Sequence, residues 1–231
     1  MRGLLNRGWN NLVMGSRRPD GAASRPEHVL SFWFGRPPGP RFGIVDGLWL
    51  PTRIPCWGGH WATRAFDVDE IIRRNFGELH ARAAAGELDD WVADPDGRLA
   101  VVILLDQMSR NMYRGTPDAF ANDGKVLPMV EEALDRGEDH LFNPLARTLL
   151  YLPLMHHERP ELIDRCVGLY EAAYAEATGL VRLVLRVELA SARRHAEIVH
   201  KFGRFPHRNE ILGRESTAQE RAFLTERFSR F

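Results

Sequence analysis

The chain has 231 residues, of which 44% are hydrophobic and 27% charged, a composition typical of a globular protein with a sizeable core. Lysine and arginine together number 31, as do aspartate and glutamate, so the formal net charge of +0 excludes a general attraction to nucleic acid or anionic lipid. No apolar run reaches the roughly 20 residues that a membrane-spanning helix needs.

The two cysteines, Cys56 and Cys166, lie in a loop-like and a helix-like context, which does not suggest a disulfide framework. We therefore expect a cytoplasmic protein. Residues 1–18 contain arginines and no acidic residue, a weak likeness to a transit peptide that keeps an organelle as the alternative. Residues 1–25 are interpreted as a flexible N-terminal extension and residues 26–231 as a single all-helical domain.

The first predicted element is a short apolar helix that begins after Pro26 and ends before Gly35. Residues 36–65 are rich in glycine, proline and tryptophan and have no regular period, which predicts a long loop. This loop is either a lid that borders a site or a hydrophobic strap over the core.

From residue 66 onward, apolar residues recur at helical spacing and glycines follow several of the segments. Asp94-Pro95-Asp96-Gly97 is predicted to form a turn. The predicted helices cover residues 66–83, 99–113, 120–136, 144–156, 161–177, 181–200 and 208–212, and a capping box at residues 217–220 opens a last one. Strand-like alternation is absent. The predicted fold is all-α, a tetratricopeptide-like array of antiparallel helix pairs with an irregular N-terminal loop region.

Polar side chains interrupt the apolar helix predicted over residues 99–113. Asp106 and Arg110 are one turn apart and can pair, and the adjacent strip carries Gln107, Asn111 and Arg114. Charged groups in such a place are rarely buried unless they are paired. They form either a structural network that clamps helix ends or part of a ligand site.

Two further clusters are rich in histidine. Pro153 is expected to kink or end a helix just before His156 and Glu158, whose spacing does not predict a metal site. His195 lies on an apolar stripe, where a histidine is more often a satisfied core residue than a ligand.

The chain just after His195 is crowded with polar groups. Gly203 is followed by Arg204, His207, Arg208 and Asn209, next to the N-terminus of the helix predicted over residues 208–212. This arrangement predicts an anion pocket. In the alternative, the arginines hold carboxylates such as Asp106 and Glu158.

The same clusters resemble a bacterial domain-of-unknown-function family, numbered 924. The matching sequence motifs are Phe-Trp-Phe-Gly at residues 32–35, Leu-Asp-Gln at 105–107, Tyr-Leu-Pro-Leu at 151–154 and Phe-Gly-Arg-Phe-Pro-His-Arg-Asn at 202–209. The chain departs from the family at Met108-Ser109, where Phe-Pro is usual, at His157, and in a longer loop over residues 36–65. The resemblance implies an all-helical, tetratricopeptide-like fold and no established activity.

The leading hypothesis is a polar pocket that binds a small anionic molecule, with catalysis left open and the cofactor unknown. The rival is a tetratricopeptide-like interaction module that binds a protein partner, with the same residues as a structural network. Neither reading involves nucleic acid or a membrane span. The candidate proton-transfer residues are His195 and His207, with Asp106 and Glu158 to orient them. The candidate ligand-binding residues are Gln107, Arg110, Asn111, Arg114, His156, Arg204, Arg208 and Asn209.

Overall fold

The structure is a computed structural model that describes residues 25–34, 68–227 and 229. All regular elements within these ranges are helical, as predicted. The chain divides into two compact units, with the boundary between Met112 and Tyr113, and each is described by itself. The loop predicted over residues 36–65, with Cys56 and its tryptophans, and residues 1–24 lie outside the described ranges.

The first unit contains two helices that pack against one long, interrupted helix. Its elements are α1 (Pro26–Phe34), α2 (Val68–Ala85), a 3-10 turn (Asp89–Ala93), α3 (Pro95–Val102), a π-helical segment (Ile103–Met108) and α4 (Ser109–Met112). Helix α1 packs on α3, and α2 packs on the π-helical segment and α4. The core includes Leu30, Ile72, Phe76, Leu99 and Ile103, all of which are buried. The polar residues of the π-helical segment are therefore set among apolar neighbours.

The Asp-Pro-Asp-Gly motif begins a helix instead of forming an isolated turn. The Asp94 side chain accepts a hydrogen bond from the Gly97 backbone N–H at 3.1 Å, and Pro95 occupies the first helical position. Gly97 is also packed closely, since a Cβ added there would lie 2.1 Å from the Trp91 carbonyl oxygen. The long helix thus begins four residues before the predicted start at Leu99.

The second unit is a chain of helices that pack in sequence order. Its elements are a 3-10 turn (Pro117–Phe120), α5 (Asp123–Asp135), a 3-10 turn (Glu138–Leu141), α6 (Thr148–His156), α7 (Pro160–Glu176), α8 (Gly179–Phe202), a 3-10 turn (Pro206–Arg208) and α9 (Ala218–Phe223). Helix α5 packs on α6, α6 on α7, and α7 on α8. Only two residues join α7 to α8, so this pair runs antiparallel.

Helix α6 contains Pro153, which has no N–H for the Leu149 carbonyl, and ends three residues later at His156. One sequence prediction about this unit is wrong. The helix predicted over residues 208–212 is replaced by the 3-10 turn Pro206–Arg208 and further turns that reach Gly213 at φ +64°. The anion pocket therefore lacks the helix N-terminus that was expected to contribute donors. The capping box at Thr217 and Glu220 is present as predicted and opens α9.

The contact between α6 and α7 buries a thiol. The Cys166 Sγ donates to the Tyr151 carbonyl at 3.3 Å, and the Tyr151 hydroxyl donates to Asp139 at 2.7 Å. Burial raises the pKa of the Cys166 thiol far above its ordinary value, although its hydrogen bond to the Met155 backbone acts in the opposite direction. Cys166 is consequently a protonated core residue. None of the described helices is long and apolar enough to cross a membrane.

Candidate functional site

Seven of the twelve predicted site residues belong to two clusters, one in each unit. In the first unit, Asp106, Gln107 and Arg110 form what we call the Asp106 cluster. In the second, five residues form the Phe205 cluster: His156, His195, Phe205, His207 and Arg208. Each cluster is defined by contacts within its own unit.

Asp106 is a buried carboxylate with partners on its own helix. Its Oδ1 lies 2.8 Å from the Arg110 guanidinium, and its Oδ2 accepts a hydrogen bond from Gln107 Nε2 at 2.6 Å. Arg110 also donates to the Asp106 backbone carbonyl at 3.0 Å. The predicted pairing of Asp106 with Arg110 is thus present, and it satisfies a charge that is 1% exposed.

Asp106 and Gln107 lie in the π-helical segment, in which the backbone hydrogen bonds span five residues instead of the four of an α-helix. Such segments are rare and are often found at functional sites. Directly after it, the Ser109 hydroxyl donates to the Leu105 carbonyl and therefore accepts from His80 Nε2, both at 2.7 Å. Burial lowers the pKa of the His80 imidazole. Asn111 lies outside this cluster and donates to Asp69 at 2.8 Å.

Arg208 is the central cation of the Phe205 cluster. Its guanidinium is buried and lies over two phenyl rings, 4.7 Å from the Phe120 centroid and 4.6 Å from the Phe205 centroid. One guanidinium nitrogen donates to the His156 carbonyl at 2.9 Å. The bond to the His156 carbonyl and the two ring contacts hold the guanidinium within this cluster.

His195 is a buried, neutral imidazole beside Arg208. Its Nδ1 lies 2.8 Å from the Ser191 carbonyl, and since a carbonyl only accepts, Nδ1 carries the proton. Burial lowers the pKa of His195 to about 3; the Ser191 bond raises it, and the positive charges of His156, Arg208 and His207 lower it further. His195 is therefore neutral at neutral pH.

Glu158 binds the backbone at Phe205. Its two carboxylate oxygens accept from the Arg214 guanidinium at 2.5 and 2.9 Å, and one of them accepts from the Phe205 backbone N–H at 2.9 Å. Burial raises the pKa of Glu158, but the bonds from Arg214 and Phe205 and the charges of Arg214 and Arg208 outweigh this and hold it below its ordinary value. Sequence reasoning missed Arg214, which no motif connects to Glu158.

Arg204 has a carboxylate partner that the sequence analysis did not consider. Its Nε and one terminal nitrogen donate to the two oxygens of the buried Glu220 at 2.7 and 2.9 Å. The hydrogen bond from Arg204 lowers the pKa of Glu220 to about 2. Burial acts in the opposite direction, and the hydrogen bonds with Thr217 lower the pKa further. Of the predicted pocket residues that follow Gly203, Arg204 is thus held by α9, whereas His207 and Arg208 stay with the Phe205 cluster.

A match to a known protein family covers most of the chain. Residues 29–227 match the family described as a bacterial protein of unknown function, DUF924. The chain belongs to this family. A solved structure of a protein of unknown function from Agrobacterium tumefaciens is 34% identical, covers 80% of this chain and 100% of its own, and has a TM-score of 0.63. No curated protein matches the chain.

The remaining predicted residues of this DUF924 chain lie outside both clusters. Arg114 is exposed in the turn after α4, beside Gly115 at φ +79°. Asn209 is buried and donates to the Ser216 hydroxyl at 3.0 Å, which closes the turn that reaches Gly213. Within residues 25–34, 68–227 and 229, no group of three or more His, Cys, Asp or Glu side chains is arranged to hold a metal ion.

Proposed function

We propose that this protein binds a small molecule with a phosphate or carboxylate group, and that Arg208 in the Phe205 cluster is its principal contact. The observation that carries the proposal is the buried Arg208 guanidinium, which lies over the rings of both Phe120 and Phe205. A planar guanidinium matches the geometry of phosphate and carboxylate oxygens. Burial strengthens such a charge-assisted contact relative to water.

The distribution of charge around the cluster supports the same proposal. Two neighbouring arginines are matched by glutamates: Arg214 by Glu158 and Arg204 by Glu220. Arg208 contacts two aromatic rings and a carbonyl, and its positive charge acts on both His195 and the Glu158 carboxylate. The charge of Arg208 therefore acts on neighbouring side chains, as it would act on a bound anion.

The proposal is one of binding and not of proton transfer. His195 has a pKa of about 3 and stays neutral at pH 7, and Glu158 is held as a carboxylate by Arg214. Asp106 is held in the same way by Arg110. We leave Gln107, Arg110, Asn111 and Arg114 out of the proposed ligand contacts.

We also propose that the helix pairs of the second unit follow a tetratricopeptide-like arrangement. Support comes from the antiparallel pair α7 and α8 and from helices that pack in chain order. Superposition on tetratricopeptide hairpins would test this part. It is independent of the anion site.

The test of the anion site is a titration of the full chain with phosphate, sulfate and citrate, followed by the melting temperature and by calorimetry well below it. The parent protein should gain melting temperature with at least one anion, because a ligand of the folded state stabilises it. Arg208→Met removes the charge and keeps most of the volume, and should abolish the heat of binding. Arg165→Met, which removes an exposed arginine of α7, should bind as the parent does.

Two results would overturn the proposal. One is a parent protein that responds to none of the three anions. The other is an Arg208→Met protein that is folded at the titration temperature and binds with the affinity of the parent.

A further inference from the structure

One face of α8 exposes large apolar side chains to solvent. Leu180, Leu183 and Val187 are 48%, 50% and 62% exposed. Their spacing of three, four and seven residues places them on one side of the helix, where they form what we call the Leu183 stripe. Other leucines of α8, such as Leu185 and Leu189, are buried on the opposite side. The stripe is therefore a second apolar face, not needed for the packing of α8 on α7.

The charged side chains of α8 between residues 179 and 196 that reach solvent are all arginines. Between residues 179 and 196 the charged side chains are four arginines and one glutamate, Glu188, which is buried. Arg193 and Arg194 pair with Glu171 and Glu197. Arg182 donates to carbonyls at the end of α7, including Tyr174 at 3.0 Å. Arg186 is exposed, and no carboxylate among the described residues pairs with it.

We propose that the Leu183 stripe is a docking surface for an amphipathic helix of a partner protein, with acidic residues on the edge that faces Arg182 and Arg186. Residues spaced by three and four along a helix form the ridges and grooves that a second helix packs into. Leu183 and Val187 lie one turn apart in the row next to Arg182 and Arg186. The apolar row would supply affinity, and the arginine row would select acidic partners and fix their orientation.

The charges disfavour a symmetric pair of two copies of this chain through α8. A two-fold contact presents the same patch from both sides, so it would bring the arginines of one copy toward those of the other. Glu197, the exposed acidic residue of α8 nearest to the stripe, already pairs with Arg194 of the same helix.

An anionic membrane is also a poorer match. Membrane-surface helices insert bulky apolar residues, commonly tryptophan or phenylalanine, whereas this stripe has two leucines and one valine. An amphipathic helix with acidic residues along one edge can pack on the Leu183 stripe and pair with the arginines beside it. Such a helix is the partner that we assign.

The test is a selection from a displayed library of randomised helical peptides against the full-length chain. Enriched peptides should place apolar residues at spacings of three and four, with aspartate or glutamate along one edge. In solution, Leu183→Ser should weaken their binding by at least about tenfold, as for the central residue of an interface. Leu141→Ser is the matched control because Leu141 is 52% exposed and lies in a different element. It should bind as the parent does.

Reversing the charge of Arg186 tests whether the acidic residues of the partner helix lie beside this arginine. Arg186→Glu should weaken binding of an acidic peptide and strengthen binding of the same peptide with lysine in place of its acidic residues. The proposal is overturned if selection enriches no acidic amphipathic sequence, or if Leu183→Ser and Leu141→Ser affect binding equally. It is also overturned if Leu183→Ser abolishes self-association in sedimentation, or binding to phosphatidylserine vesicles, while peptide binding is absent.

Discussion

Glu158 binds Arg214 through both carboxylate oxygens and, with the same side chain, holds the Phe205 backbone N–H. Arg214 in turn donates to the Phe205 carbonyl at 3.2 Å. One ion pair therefore fixes both sides of the peptide chain at Phe205, the residue whose ring supports Arg208. The position of the proposed anion site depends on a pair that does not itself contact the anion.

Arg214→Met should destabilise the protein because it leaves Glu158 half-buried without its guanidinium. We expect a loss of about 2 kcal/mol in the free energy of unfolding, measured by denaturant titration. Arg165→Met breaks the exposed pair with Asp135 and should cost less than about 1 kcal/mol. Equal losses in the two variants would show that the Glu158 pair has no special structural role.

Glu220 should make stability depend on pH in the acid range. Its pKa falls from 4.5 to about 2 on folding, chiefly through Arg204. A lowered carboxyl pKa contributes stability that is complete above about pH 4.5 and is lost as the pH falls toward 2. Glu220→Gln should therefore reduce the slope of unfolding free energy against pH in that window. Parallel curves for parent and variant would contradict the assignment.

His195 should remain a neutral imidazole with its proton on Nδ1 from about pH 5 to about pH 8. Its pKa in the folded state is about 3, against 6.5 as the ordinary value. The neutral form therefore stabilises the fold above pH 6.5, and this contribution declines as the pH falls toward 3. Nitrogen-15 chemical shifts of the ring assign both the tautomer and the charge. A ring that becomes protonated near pH 6.5 would refute the expectation.

The pair of Asp106 and Arg110 should show strong coupling in a double-mutant cycle. Arg110→Met leaves a buried carboxylate without its cation and should cost about 3 kcal/mol. Adding Asp106→Asn should recover most of that loss, since the charge is then removed from both partners. Additive losses would mean that the two side chains do not stabilise the fold through each other.

Gly97 should tolerate no side chain. Gly97→Ala would place a methyl group 2.1 Å from the Trp91 carbonyl oxygen and should cost about 2 kcal/mol or more. Gly77→Ala is the matched control because Gly77 is also helical and a Cβ there has no neighbour within 4 Å. That change should stabilise the protein by about 0.5–1 kcal/mol, as measured by thermal melts.

Helices with a clear period and a terminal signal were predictable from the sequence. Helix α8 was predicted over residues 181–200 and extends from Gly179 to Phe202, because its apolar positions recur regularly and Gly203 adopts φ +70° after it. The capping box at Thr217 could be predicted because both of its partners lie within four residues. Sequence patterns that extend over a few residues predict the hydrogen bonds that form between those same residues.

The polar partners could not be predicted in the same way. Arg214 is 56 residues from Glu158, and Glu220 is 16 residues from Arg204, so no helical period connects them. The π-helical segment has no signal either, because a sequence that is apolar nearly all round hides a change in residues per turn. Polar residues after Gly203 suggested a helix over residues 208–212, but a turn that ends at Gly213 satisfies the same backbone groups.

The buried Cys166 thiol offers a direct measure of motion within the second unit. Thiol reagents attack the thiolate, so a buried thiol with a raised pKa reacts only when its surroundings open. Its hydrogen bond to the Tyr151 carbonyl links that opening to separation of α7 from α6. In a Cys56→Ser protein, the labelling rate of Cys166 therefore reports opening of the structure around this thiol, without any introduced probe.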